Sequence, residues 1–366
     1  MTHRAAVARA PGKLFVAGEY AVVDPGNPAV LVAVDRYVTV RVAPLPGSQV
    51  EISSDLGPRG TRWQWQHGAL TPAGGAWGAG LTHVVSAITT VAALAAARGT
   101  AVPGLSVEVE SGLHEGGTKY GLGSSGAVTV ATVTAVAAFC GLHLTPQERY
   151  RLAMLATAAL EPRASGGDLA ASTWGGWILY RAPDREAVLD LARRAGIEEA
   201  LAAPWPGCEV RRLPAPAGLS LQVGWTGNPA STASLVAGLD RRTWRGTASH
   251  TRFLQATGHC VRAVATALEQ ADSPGLLEQI RQARRELARL DDEVGLGIFT
   301  TRLTALCDAA EAAGGAAKPS GAGGGDCGIA LLDAQAQAAI AHVRRQWATT
   351  GVLPLPIRPA AEGNEE

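Results

Sequence analysis

Apolar positions recur along this chain with two periods, close to two over short stretches and close to 3.6 over longer ones. Residues 6–23 (AVARAPGKLFVAGEYAVV) and 28–44 (PAVLVAVDRYVTVRVAP) are rich in Val, Ala and aromatics and broken by Pro-Gly and Gly-Asn-Pro turns. That pattern predicts strands. VEISS and RWQWQ predict a further pair, and LSVEVES (105–111) alternates as a strand with one solvated face. Helical spacing covers 81–98 up to Gly99, and about Ser125–Cys140 after a Gly-rich stretch. Thr145-Pro-Gln-Glu148 is a capping box opening a helix that runs to about Leu160. A loop, ASGGD, then leads into ASTWGGWILYRA, a helical turn entering a strand.

The texture changes near residue 181. A helix over 185–202, a Pro-rich stretch and the strand LSLQVGWTG precede helices at about 231–271, 274–295 and 297–314. Ser273-Pro274 reads as the N-cap and N1 of the second of these. A Gly-rich loop (KPSGAGGGD), the strand CGIALL, a helix over 334–350 and a last strand complete the chain. There is no internal repeat. The expected organisation is an α+β protein of two lobes, residues 1–180 and 181–358, with a cleft between them and a frayed tail at 359–366.

Composition narrows the possibilities. Of 366 residues 47% are hydrophobic and 17% charged, enough for a large core and against wholesale disorder. With 32 Lys+Arg against 32 Asp+Glu, no global field draws in nucleic acid or an anionic membrane. The Arg-Arg pairs at 211–212, 241–242, 284–285 and 344–345 are scattered and read as solvated faces. Five dispersed cysteines without a CxxC pair suit a reduced, cytoplasmic chain. The N-terminus lacks the apolar stretch of a secretory signal. Residues 120–146 carry no Asp, Glu, Lys or Arg, but the stretch opens with glycines and serines and is apolar mainly through Ala and Val, which predicts a buried helix after a Gly-rich loop rather than a membrane span.

Only three of the basic residues are lysines, and each falls at or beside a glycine-rich stretch. Lys13 lies in APGKLFVAGEYAVV, Lys119 in GGTKYGLGSSGAV and Lys318 in GAAKPSGAGGGDCG. A compact ammonium on a flexible stem suits a phosphate. Gly121-Leu-Gly123-Ser-Ser-Gly126 formally satisfies a dinucleotide fingerprint, but the polar SGLHEGGTKY stands where a buried strand is required. No P-loop pattern occurs. A Gly/Ser loop opening directly into a helix still offers bare N–H groups and a helix dipole to anionic oxygens. An ordinary flexible loop is the bland alternative.

PGKLFVAGEYAVV, KYGLGSSGA and KPSGAGGGDCGIAL resemble, in order and over residues 10–331, the three motifs of the GHMP kinases. AGEYAVVDPGNPAVLVAVDRYV, SGGDLAAS, GWTGNPAS and SGAGGGDCGIAL are most similar to the bacterial-type phosphomevalonate kinases within that superfamily. The resemblance implies the two-lobed GHMP kinase fold, with an N-terminal ATP-binding lobe like domain 2 of ribosomal protein S5 and a ferredoxin-like C-terminal lobe. It implies ATP on Lys119, Gly121, Leu122, Gly123, Ser124, Ser125 and Gly126, with Mg²⁺ on the Ser125 hydroxyl. Lys13 and Asp168 would be catalytic, facing the acceptor and the γ-phosphate. Glu19, Tyr20, Ser165, Gly167, Ser172, Ser320, Gly321, Ala322 and Gly323 would line the substrate. Glu161 does not match the spacing of a metal-holding glutamate.

The implied reaction is transfer of the ATP γ-phosphoryl to the phosphate of (R)-5-phosphomevalonate. A phosphate monoester is mostly deprotonated at pH 7, so the obstacle is charge repulsion rather than proton removal. Lys13 should then matter more than Asp168, whose carboxylate would chiefly orient the lysine. Alternatives are mevalonate kinase or another small-molecule kinase of the superfamily, and a non-catalytic metabolite sensor on the same fold. Basic groups near Ser165 and Ser320 would favour the phosphorylated acceptor. Trp174 and Trp177 read as core, Cys327 as a small buried residue, and Asp326 as ending the glycine turn on its own backbone. His83, His114, His250 and His259 show no metal spacing or pairing and take the bland reading, with contact to ATP the minority alternative for His114, which lies near the Gly loop.

Overall fold

The computed structural model describes residues 4–361 except 56, 58, 75–78, 116 and 230–243. Two sheets organise the molecule. Strands β1 (Ala6–Ala17), β2 (Pro28–Pro44), β3 (Val50–Ser54), β4 (Thr61–Gln66), β5 (Ala69–Pro72), β6 (Leu105–Ser111), β9 (Trp177–Arg181) and β10 (Glu209–Leu213) form an eight-stranded sheet. A short hairpin of β7 (His114–Glu115) and β8 (Thr118–Lys119) projects from it. Strands β11 (Leu219–Trp225), β12 (Ala316–Pro319), β13 (Cys327–Asp333) and β14 (Leu353–Leu355) form the second sheet, in the order β12-β13-β11-β14 and antiparallel throughout. Numbered within this lobe that order is second, third, first, fourth, the ferredoxin-like arrangement.

Burial explains the sequence pattern of β2. Residues 28–34 are buried without interruption because β1 and β9 flank them and helices cover them, whereas 37–43 alternate where one face meets solvent. Helix α1 (Thr82–Ala97), α2 (Ser124–Phe139), α3 (Pro146–Leu160) and α4 (Gly167–Trp174) pack on this sheet. α2 lies between β1 and the pair α1 and α3, so it is apolar almost all round. Its buried Thr129 and Thr132 hydroxyls return to the Ser125 and Val128 carbonyls at 2.8 and 2.7 Å. Among the described residues no helix is long and apolar enough to cross a membrane.

Helix α7 (Ala248–Glu269) packs on α8 (Ser273–Val294) and against β1, β2 and β10 of the first sheet, while α8, α9 (Thr301–Ala312) and α10 (Gln337–Thr349) cover the C-terminal sheet. Helices α5 (Arg185–Ala195) and α6 (Ile197–Ala202) precede β10.

Several expected boundaries move. β10 pairs with β9, so the first sheet extends to Leu213, well past residue 180. The chain also returns to that sheet at its end: Ala360 N–H donates to Ala33 O at 2.8 Å, and Arg358 N–H to the Asp35 carboxylate at 2.9 Å. The tail expected from 359 is therefore anchored at its start, and residues 362–366 lie outside the described residues. The helix expected over 185–202 is two helices, divided at Gly196 with φ 88°. The AGEYAVV end of the first predicted strand bends at Tyr20 into a short 3-10 turn, Ala21–Val23. α8 is capped by Asp272, whose side chain accepts from Gly275 N–H, while Ser273 turns away to donate to the Ala217 carbonyl. Of the helix expected over 231–271, the part before residue 244 and the pair Arg241–Arg242 lie outside the described residues.

Candidate active site

β1 is the spine on which all three glycine stretches meet. Its Lys13 N–H donates to the Leu122 carbonyl at 2.8 Å, which fixes the Tyr120–Gly126 loop against the strand. The loop ends at Gly123 in the left-handed region (φ 75°) and α2 begins at Ser124, with no side chain capping the helix. The first amides of a long helix are thus left to an incoming ligand, an arrangement suited to phosphate oxygens. Ser124 and Ser125 are half-buried at this end. Lys119 is exposed on β8, across from His114 on β7.

Asp168 sits in the first turn of α4, following Gly166 at φ 75°. Its carboxylate accepts from Leu169 N–H at 3.0 Å and lies so close to α2 that a Cβ on Gly126 would fall 2.5 Å from its Oδ2. The aspartate therefore occupies the point where the N-termini of two helices converge, which complements a negative charge. Lys13 is beside it. A Cβ on Gly123 would meet Lys13 Cε at 2.9 Å and Asp168 Cβ at 3.3 Å, so one glycine separates the two side chains. They do not form the expected ion pair. The Lys13 ammonium lies 4.9 Å from the Phe15 ring centroid and makes no salt bridge among the described residues. Direct orientation of Lys13 by Asp168 is thus not how the site is held, because the carboxylate is turned to α2.

The third stretch closes the site from the other lobe. Asp326, at φ 49°, packs over the Tyr120–Gly126 loop, and a Cβ on Gly121 would overlap its carboxylate carbon at 2.3 Å. This contact goes beyond the expected role of Asp326 in closing its own glycine turn, and a left-handed residue ending a run of glycines is the feature that marks it. Cys327 is fully buried, its Sγ donates to the Tyr120 carbonyl at 3.1 Å, and burial pushes its thiol far up, so it stays a neutral packing group. Tyr120 also meets Trp225 edge-on at 5.2 Å. Trp177 is buried and Trp174 packs on Tyr150 at 5.3 Å, as core residues do.

Most of the remaining expected substrate residues have protein partners. Ser320 Oγ accepts from Phe15 N–H at 2.8 Å and donates to Phe15 O at 3.0 Å. Ser172 donates to Pro11 O at 2.6 Å and is buried. Ser165 is half-buried, and its carbonyl accepts from Tyr180 OH at 2.6 Å. Gly167 faces Phe15 and Leu31. The Tyr20 hydroxyl donates to Ala322 O; burial, then Asp291 and Glu19, push this phenol well up, so it remains a donor. Glu19 is buried and bonded to Lys318, which is wholly buried, so the basic group next to Ser320 is neutralised within the protein. Its ammonium also donates to Pro319 O at 2.7 Å.

Glu161 stands apart from these loops, 3.4 Å from His83. The imidazole hydrogen bond holds its carboxyl below the usual range. Among the described residues no group of three or more His, Cys, Asp or Glu side chains could hold a metal ion. The hard oxygen donors of Ser125 and Asp168 at one helix turn do fit an Mg²⁺ that arrives already bound to phosphates, since such an ion takes only one or two protein ligands.

Comparison with known proteins places the chain in a family. The family model described as the GHMP kinase N-terminal domain matches residues 83–176, and that of the GHMP kinase C-terminal domain matches 252–349. A phosphomevalonate kinase of Streptomyces sp. (strain CL190) is 67% identical, with 98% of each chain covered. A mevalonate kinase of Pyrococcus horikoshii is 28% identical over 98% of this chain and 96% of the relative. The structure of Streptococcus pneumoniae phosphomevalonate kinase in complex with phosphomevalonate and AMPPNP superposes with a TM-score of 0.83 at 26% identity, covering 96% of this chain and 99% of that one. Similarity that runs from end to end through both lobes and all three glycine loops has one reading: this chain belongs to the GHMP kinase family.

Proposed function

We infer that the chain is an ATP-dependent phosphomevalonate kinase, passing the γ-phosphoryl group of ATP to the phosphate of (R)-5-phosphomevalonate and releasing ADP and (R)-5-diphosphomevalonate. The observation that carries the reading is the full-length 67% identity to a phosphomevalonate kinase, against 28% to a mevalonate kinase. An acceptor that is already a phosphate also suits a site whose lysine is not paired to a carboxylate.

In this reading the uncapped N-terminus of α2 and the loop Lys119–Gly126 receive the nucleotide phosphates, with Ser124 on phosphate. Mg²⁺ entering with the nucleotide would be held by Ser125, with Asp168 the carboxylate packed at the same helix turn, and would neutralise charge on the β- and γ-phosphates. The acceptor lies between Lys13 and the Ser165–Gly167 and Ser320–Gly323 segments. One of its phosphate oxygens, ionised at pH 7, forms a bond to the γ-phosphorus as the bond to the β-phosphate oxygen breaks and ADP leaves. No proton need be taken from the nucleophile. The Lys13 ammonium relieves the repulsion between the two anions and stabilises charge on the transferring group. The five free cysteines fit a reducing, cytoplasmic setting.

Phosphorus NMR of the reaction with MgATP tests the assignment. The expected result is a pair of coupled diphosphate resonances growing in step with ADP. ADP formed without a new diphosphate would contradict it.

A further inference from the structure

Lys318 has no part in the transfer just described, yet it is a wholly buried lysine in a chain that has only three. Its ammonium is bound to Glu19, itself buried, and to Pro319 O at 2.7 Å. Glu19 also accepts from Gly321 N–H at 3.4 Å. The pair thus joins the end of β1 in one lobe to the end of β12 in the other.

The segment that follows is pinned almost residue by residue. Ser320 N–H donates to Cys327 O at 2.9 Å and its hydroxyl is held by both backbone groups of Phe15. The Ala322 carbonyl receives the Tyr20 hydroxyl, and Gly324 N–H donates to Ile298 O at 2.9 Å. Among the described residues the N–H groups of Ala322 and Gly323 have no protein acceptor. Two successive free amides in an otherwise fixed loop form a concave site for an anion.

We propose that the buried Glu19–Lys318 pair is a positioning device that sets the Ser320–Gly323 loop so that the Ala322 and Gly323 amides receive the anionic acceptor. Glu19 and Lys318 are positioning residues and do not touch the substrate. The physical reason for an ion pair at this place is directional. An apolar pair would fill the space and hold the lobes as firmly, since buried ion pairs contribute little net stability over apolar replacements. It would offer nothing to Gly321 N–H or Pro319 O, and the loop would lose its register. The inference rests on the kinase reading for the identity of the acceptor, and its loop geometry is open to a separate test.

The test uses the full chain with both groups made apolar, Glu19→Leu with Lys318→Met, which avoids leaving one charge buried alone and removes the acceptor of Gly321 N–H. Unfolding midpoint, steady-state kinetics with MgATP and phosphomevalonate, and amide hydrogen exchange are measured against wild type. The expected double variant folds, keeps its KM for ATP within about twofold, and raises the KM for phosphomevalonate roughly tenfold or more. Exchange should rise in 320–325 and stay unchanged in α2. Single variants serve as a check: each should unfold more readily than the double, because each strands a buried charge. Wild-type kinetics and exchange in the double variant would overturn the proposal. So would equal losses toward ATP and phosphomevalonate, which mark general loosening. If wild type turns over no phosphomevalonate, the functional reading fails, and the exchange comparison still decides whether the pair sets the loop.

Discussion

Single side chains carry the chemistry through close approaches that glycine makes possible. Gly126 lies under Asp168, and its replacement by Ala would put a methyl 2.5 Å from the carboxylate Oδ2. That backbone is helical, so Ala is tolerated by the helix and the collision falls on the Asp168 carboxylate, the group proposed to work beside Lys13. Gly126→Ala should therefore lower kcat by about 10²-fold with little change in unfolding midpoint, since small misplacements at a reacting centre are costly. Unfolding together with the loss of activity would show that the glycine serves packing alone. Lys13 and Asp168 divide the charge work unequally if the acceptor is already ionised. Lys13→Met should reduce kcat more than Asp168→Asn; the reverse order, measured at pH 7 with saturating substrates, would mean that a base is needed. At this scale the meeting of Lys13, Asp168 and the serine loop was legible because motif and charge sit together in sequence. The partner of Lys318 was not, because Glu19 is 299 residues away and only the meeting of two lobes joins them.

Elements were legible where local chemistry decides them. Thr145 and Glu148 form the capping box their spacing announces: Thr145 Oγ1 accepts from Glu148 N–H at 3.2 Å, and the Glu148 carboxylate accepts from Thr145 N–H at 2.8 Å. Burial pushes the Glu148 carboxyl up, but the Thr145 N–H and hydroxyl and then the Arg98 guanidinium more than reverse this and hold it below the usual range. A depressed carboxyl stabilises the fold above its unfolded pKa and loses that contribution as pH falls through the folded one. Thr145→Ala should thus cost about 1 kcal/mol in urea unfolding at pH 7 and less near pH 3, with kcat unchanged. A full-sized loss at low pH would remove the electrostatic part of the cap. Boundaries set by tertiary partners were less legible. Ser273 looked like a cap, but its hydroxyl is drawn to Ala217 and Asp272 takes the role. Residues 209–213 fall in a Pro-rich stretch of the expected second lobe, with no strand foreseen, yet they form β10, whose partner is β9.

Over the whole molecule, two lobes meet on one strand, and a total charge of zero says nothing against small anionic ligands at the glycine loops proposed to receive them. The interior treats its thiols as it treats apolar groups. Burial pushes Cys140 up to about 11 and Cys260 and Cys307 up to about 12. Because these thiols ionise more readily in the unfolded chain, their contribution is intact below about pH 8.5 and is lost as pH rises toward 11–12. The unfolding midpoint should fall over that window, and Cys260→Ala should flatten the fall. Native protein at pH 8 should expose at most Cys208, the half-buried one, to a thiol reagent, and all five after denaturation. The central claim concerns the acceptor. ADP release measured side by side with MgATP plus mevalonate and MgATP plus phosphomevalonate tests it most directly: the account predicts turnover with phosphomevalonate and only background with mevalonate, and turnover of mevalonate with none of phosphomevalonate would contradict it.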